Sequence, residues 1–259
     1  MHNLLFLALF AFMKKKIGLT LSGGGARGFA HLGLLKVLEE QKIEVDVLSG
    51  TSMGALVGAF WAKGYPAEQI LEILKKFTLT SLLQLNFRKG LLNYQKVRKI
   101  LEKYFPENDF GALQKPFWIA CTDLISIQTI YFSENQLLEP LIGSITIPPL
   151  ARPVIWQNYE LIDGGILDNI PAQIIREKCD TLIISHCNVP LKARSKSLVQ
   201  AFEQMFVAAV SKFALQAQHI ADIWFEPPAM KYFRFRDFKK ADEIFEVGYQ
   251  HAKQIFTEK

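Results

Sequence analysis

Ser52 sits in the pentapeptide Gly50-Thr51-Ser52-Met53-Gly54, a G-x-S-x-G. A serine that attacks a carbonyl has to protrude at a tight turn. Flanking glycines permit the strained backbone and the close neighbours that such a turn needs. An apolar run, Val45 to Ser49, precedes the motif. A stretch of small and apolar residues with helical character, Met53 to Lys63, follows it. Strand, turn and helix in that order are the setting a nucleophilic serine requires. The plain alternative is a serine that only caps the helix.

A second glycine motif, Gly23-Gly24-Gly25-Ala26-Arg27-Gly28, also lies between an apolar run and a helical pattern. Glycines let backbone N–H groups turn toward an anion, and a helix N-terminus adds positive potential. Such a loop can hold the oxyanion of acyl transfer. We expect the N–H groups of Gly24 and Gly25 to do so, with Arg27 bracing the loop or attracting a phosphate head group. The same residues satisfy G-x-G-x-x-G, a dinucleotide fingerprint. That reading needs an acidic residue at the far end of the second strand, to hold a ribose. Asp46 is at the near end, and the far end carries Ser49 and the serine turn. The dinucleotide reading therefore fails.

The third motif is Asp163-Gly164-Gly165, at the end of the apolar stretch YELID. An aspartate at a strand end can point into a cleft, although Asp-Gly-Gly alone also describes an ordinary turn. His31, His186 and His219 are conceivable third members of a catalytic set, and ordinary polar or core histidines are the simpler reading. Asp123 ends another strand pattern and reads as a turn residue.

These residues need elements to carry them. Lys16 to Leu21 reads as a buried strand, followed by a helix from about Arg27 to Gln41. Helices are expected from Pro66 to Phe77, from Asn93 to Phe105 and from Leu137 to Ile145. Pro116–Asp123 and Ile127–Ser133 read as a strand pair. Pro148–Pro153 reads as a loop, Tyr159–Asp163 as a strand, and a helix should follow Asn169. Thr181–Asn188 and Ile223–Phe225 complete the strands. A long helix is expected from Leu198 to Ala221, with Leu198, Phe202, Met205, Phe206, Ala209 and Phe213 as its core face. Strands alternating with helices predict an α/β class: three layers, α/β/α, around a mostly parallel central sheet.

Half of the 259 residues are apolar and 21% are charged, enough for a full core. Residues 13–259 read as a single domain. Residues 1–12 read as an N-terminal tail, because the Leu4–Phe12 run is too short to span a bilayer and its lysines follow it. The net charge of +5 is too scattered to argue for nucleic acid. Cys121, Cys179 and Cys187 have no disulfide or zinc spacing, so a reducing, cytoplasmic compartment is the default. Lys231–Lys240 interleaves aromatics with cations, a composition that suits peripheral contact with a membrane surface.

Taken together, the three glycine-containing motifs resemble those of the patatin-like phospholipase family. The oxyanion loop stands at Gly23–Gly28, the nucleophile elbow at Gly50–Gly54 and the base motif at Asp163–Gly165. A fourth block, Ser144-Ile145-Thr146-Ile147-Pro148 with Pro153-Val154, is similar to the loop that precedes the base. Pro149 replaces the usual glycine there and Ala151-Arg152 an aromatic–proline pair, a departure that bears on the acyl pocket. The likeness runs from about Lys14 to Val189. It implies a patatin or lysophospholipase-like fold and a Ser52–Asp163 dyad. It also implies hydrolysis of lipid carboxylic esters, with no metal and no cofactor. An acyltransferase using an acceptor other than water, or a non-catalytic lipid-binding protein, are the alternatives.

Overall fold

The computed structural model describes residues 15–82, 94–148, 151–190, 194–195 and 197–256. The expected tail at 1–12 and Pro149 in the variant loop lie outside the described residues. So do the side chains of Leu198, Phe202 and Phe206.

Eight strands form one sheet among the described residues. They are β1 Ile17–Leu21, β2 Val47–Thr51, β3 Phe117–Asp123, β4 Gln128–Phe132, β5 Val154–Trp156, β6 Tyr159–Asp163, β7 Thr181–Ser185 and β8 Ile223–Phe225. The order is β5-β6-β3-β2-β1-β7-β8, with β4 on the other edge of β3. From β3 to β8 every neighbour along that order is parallel. The hairpin partner β4 and the β5–β6 edge are antiparallel.

The helices are α1 Phe29–Glu40, α2 Met53–Ala62, α3 Ala67–Leu82, α4 Tyr94–Leu101, α5 Leu138–Ser144, α6 Gln173–Arg176, α7 Leu198–Gln218 and α8 Ala241–Phe256. Side chains on successive strand residues point to opposite faces. Leu19, Leu21, Leu48 and Ile183 enter a large core with α1 to α5 and α8. Val47, Leu182 and Ile184 enter a smaller one with Ile175 of α6 and Ala217 of α7. Central strands apolar on both faces are what two helical layers demand. The expected three layers are present.

Differences from the sequence reading are local. β2 ends at Thr51 rather than Ser49, so the strand runs directly into Ser52. The short strand β5 follows the loop, with no counterpart in the sequence pattern, and the helix expected after Asn169 is the four-residue α6. The core face expected for α7 is rotated. Val207, Val210 and Ala217 are buried, whereas Met205 and Ala209 are exposed. The residues facing the sheet recur at 207, 210 and 217, a helical stripe offset from the one carrying the larger side chains.

Candidate active site

The sheet register brings Ser52 and Asp163 together. Thr51 of β2 pairs with Ala120 of β3, and Asp163 of β6 pairs with Cys121, the next β3 residue. β4 occupies the opposite edge of β3 at both positions. So β6 takes the place beside β3 that β2 leaves when the chain turns at Ser52. The base candidate arrives antiparallel, one residue past the serine turn.

Ser52 itself has φ 55 and ψ −122, in a region that non-glycine residues rarely occupy. The strained turn is held on both sides. The Ser52 N–H donates to Ser144 Oγ at 2.9 Å, and that hydroxyl donates to the Ala120 carbonyl at 2.8 Å. Beyond the turn, α2 passes against β1: a Cβ on Gly54 would stand 2.3 Å from the Leu21 carbonyl oxygen. Only glycine allows that approach. Gly50 lies within the sheet, paired with Leu21 and Ile119.

Asp163 Oδ1 accepts the Gly165 N–H at 2.8 Å, and Gly164 opens the short 3₁₀ turn that supplies this donor. Oδ2 is buried and has no hydrogen-bond partner among the described residues. Burial pushes the Asp163 pKa up to about 6, against the opposing pull of the neighbouring Ser52 hydroxyl and the Gly165 amide. A carboxyl raised toward neutrality, with one oxygen uncommitted, suits proton transfer near physiological pH.

The glycine loop stands across from the serine. A Cβ on Gly23 would lie 3.2 Å from Ser52 Cβ, which places the loop at the turn. The Gly23 carbonyl accepts from Asn188 Nδ2 at 2.6 Å and from Asn169 Nδ2 at 3.4 Å. Its N–H donates to the Asn169 carbonyl at 3.1 Å. Ala26 N–H is spent on the Phe235 carbonyl and Arg27 N–H on the Gly24 carbonyl. Among the described residues, the N–H groups of Gly24 and Gly25 have no acceptor. A Cβ on Gly24 would stand 2.3 Å from Cys187 Sγ, so this position has no room for one. Gly28 packs against the Met53 side chain.

Arg27 is buried. Its Nε donates to the Phe233 carbonyl at 2.8 Å, and its guanidinium lies 5.2 Å from the centre of the Phe235 ring. These contacts tie the loop to the segment around Phe233 and Phe235, an arrangement in keeping with a bracing role. The same contacts correct the reading of Lys231–Lys240. Phe233 is buried, Phe235 packs on Gly25, and Phe238 meets Phe29 edge-on at 6.4 Å. The segment is pinned over the glycine loop, so its aromatics, Tyr232 apart, do not form an outward face.

None of the three histidines reaches the serine as a hydrogen-bond partner. His31 is fully buried, with Nε2 donating to the Ser22 carbonyl at 2.9 Å and Nδ1 bonded to Ser185 Oγ at 2.7 Å. Burial pushes its pKa down to about 4, so it is neutral at neutral pH. His186 Nδ1 meets Glu226 Oε1 at 2.6 Å, and His219 caps the exposed end of α7. Asp123 is a turn residue. Among the described residues no group of three His, Cys, Asp or Glu side chains is placed to hold a metal ion.

Two contributors carry no motif signal of their own, Asn188 three residues past β7 and Asn169 six residues past Asp163, whereas Ser144 opens the fourth motif block. Each asparagine is a buried polar residue next to an apolar strand or turn, which is the one hint that the sequence offers.

Residues 19–175 match the model of the patatin-like phospholipase family. The chain belongs to that family. It is 26% identical to Patatin-like phospholipase domain-containing protein 6 of Homo sapiens over 280 residues, covering 93% of this chain and 20% of that protein. It is 29% identical to Lysophospholipase NTE1 of Scheffersomyces stipitis, covering 93% of this chain and 18% of that protein. The chain thus spans about a fifth of the length of these curated relatives. In structure it is similar to VipD from Legionella pneumophila, with a TM-score of 0.60 at 15% identity, over 93% of this chain and 66% of that one. This likeness concerns the fold. The family match supports a hydrolase.

Proposed function

We propose that this patatin-like chain hydrolyses carboxylic esters of lipids, phospholipids or lysophospholipids, through a Ser52–Asp163 dyad and an acyl-enzyme. The observation that carries the proposal is the uncommitted Asp163 Oδ2 beside a serine at a strained strand-to-helix turn. In this reading Ser52 Oγ attacks the ester carbonyl and its proton passes to Asp163. The tetrahedral oxyanion is met by the N–H groups of Gly24 and Gly25, which have no other acceptor among the described residues. Collapse expels the alcohol, which takes the proton from Asp163. Water then attacks the acyl-enzyme, giving its proton to Asp163, and the freed Ser52 recovers it. Splitting one displacement into two lowers each barrier.

The proposed substrate lies in or comes from a membrane, so the enzyme works peripherally at a lipid surface. Among the described residues no helix is long and apolar enough to cross a membrane. The three cysteines are free, which fits a reducing compartment such as the cytoplasm.

The test is hydrolysis of p-nitrophenyl esters, lysophospholipids and diacyl phospholipids by wild type and Ser52→Ala. We expect activity on at least one lipid class, lost by several orders of magnitude in the variant. A folded variant that keeps more than roughly a tenth of wild-type turnover contradicts the assignment.

A further inference from the structure

Four aliphatic side chains are exposed where β3, β4, β5 and β6 end: Leu124 at 42%, Ile125 at 66%, Ile127 at 74% and Ile155 at 74%. The pairing explains their grouping. Asp123 pairs with Gln128, so Leu124 and Ile127 stand opposite each other one step further along the hairpin. Leu124 N–H donates to the Glu160 carbonyl, and Glu160 pairs with Ile155. Ile127, Leu124, Glu160 and Ile155 thus form a row across four strands, with Ile125 at the hairpin tip. Their neighbours Val154 and Leu161 point to the other face and are buried.

The row projects from the end of the sheet that carries Ser52. β3 passes the Thr51 level at Ala120 and reaches Leu124 four residues later, roughly 13 Å beyond at strand rise. Ile127 has φ +55. A β-branched side chain in the left-handed region is disfavoured by its own Cβ, and asparagine or glycine would relieve it. Keeping an isoleucine there, in water, costs conformational and solvation free energy together. Such outliers gather where a surface has work to do.

We propose that this row is a docking edge for a phospholipid surface, and that it sets Ser52 against the membrane that holds the substrate. The proposal rests on the function argued above. Aliphatic tips offer no hydrogen bonds and suit acyl chains. The exposed Arg152, three residues before Ile155, complements anionic head groups. The nearby Asp123 carboxylate is sequestered in the turn by Ile125, Ser126 and Glu160. Half-buried Glu160 shares the row and keeps the sheet edge at head-group depth while the tips enter.

The test uses the full chain, with vesicles of phosphatidylcholine and phosphatidylglycerol, and the triple variant Ile125→Ser, Ile127→Asn, Ile155→Thr. Each withdrawn isoleucine should weaken vesicle partition roughly tenfold. Hydrolysis of soluble p-nitrophenyl butyrate should change by less than about twofold, since no reacting group is touched. Apolar docking should also persist in salt that screens surface charge. Unchanged vesicle binding in the folded triple variant overturns the proposal, as does a wild type that ignores vesicles. A wild-type dimer that the variant dissolves would overturn it too, by assigning the edge to a second copy. A wild type that binds vesicles through this edge but never cleaves butyrate would sink the hydrolase reading and leave the docking edge standing.

Discussion

Two aspartates end two neighbouring strands, and their environments diverge. Asp163 closes β6 and Asp123 closes β3; they are 1% and 2% exposed. Burial disfavours both carboxylates. Around Asp123 the burial effect is outweighed by the Ser126 hydroxyl and the N–H groups of Glu160, Ser126 and Ile125, which hold its pKa down at about 2. Asp163 has the Gly165 N–H and a neighbouring serine, and burial wins, at about 6. Donor count and depth together separate a structural carboxylate from one that can exchange a proton: Asp163 lies deep in the protein, Asp123 just beneath the surface. Four donors spend the lone pairs of Asp123 on fixing a hairpin. One donor leaves Asp163 Oδ2 for chemistry.

The largest expected effect comes from Asp163→Asn. It keeps the shape and the Gly165 contact but removes the base, so turnover should fall by about 10²–10⁴. Asp123→Asn should leave turnover within a few-fold. Parallel assays of the two variants decide whether the contrast is functional, and equal losses would erase it.

The second effect is on pH dependence. Asp163 must be ionised to accept the serine proton. Its raised pKa predicts kcat/KM rising about tenfold per pH unit up to about 6 and level above. A profile already flat from pH 4.5 would assign the carboxylate an ordinary pKa and break the comparison.

The third effect is on stability, with opposite signs. A carboxyl whose pKa rises on folding destabilises the fold above that pKa. The penalty grows from about pH 4 to about 6 and is then constant, on the order of 3 kcal/mol. Asp163→Asn should therefore melt higher than wild type at pH 8 and converge with it near pH 4. Asp123→Asn faces backbone donors with an amide and should lose about 1–3 kcal/mol. Its carboxylate stabilises above the ordinary carboxyl pKa, and that contribution fades as pH falls toward 2. Thermal melts from about pH 2 to pH 8 measure both.

The smallest effect concerns the glycine loop. Asn188→Ala removes the 2.6 Å donor to the Gly23 carbonyl. Turnover should fall about tenfold with KM little changed, because a loop aimed at an oxyanion acts in the transition state. A rise in KM alone would mean that Asn188 shapes the substrate pocket instead.

Much of this was legible in the sequence because it rests on local chemistry. Gly54 must be glycine against the Leu21 carbonyl, and a G-x-S-x-G between strand and helix announces that turn. The α/β/α layering followed from strands apolar on both faces. What the sequence hid depends on contacts distant along the chain. The family resemblance implies the Ser52–Asp163 pair, but the register that brings the two together, with β6 continuing the place of β2 beside β3, is encoded in no motif. Asn188 reaches Gly23 across 165 positions. Lys231–Lys240 reads as an amphipathic surface, yet Phe233, Phe235 and Phe238 turn inward because the glycine loop offers a cover site. Composition shows that aromatics are present, not which way they face.

The dyad is tested most directly by the rate at which a fluorophosphonate labels the protein, followed by mass spectrometry across pH. Wild type should be labelled on the peptide containing Ser52, at a rate that climbs with pH through about 6 and then levels. Asp163→Asn should be labelled at least roughly a hundredfold more slowly, without that rise. Label on another residue, or Asp163→Asn labelled at the wild-type rate, would contradict the Ser52–Asp163 account.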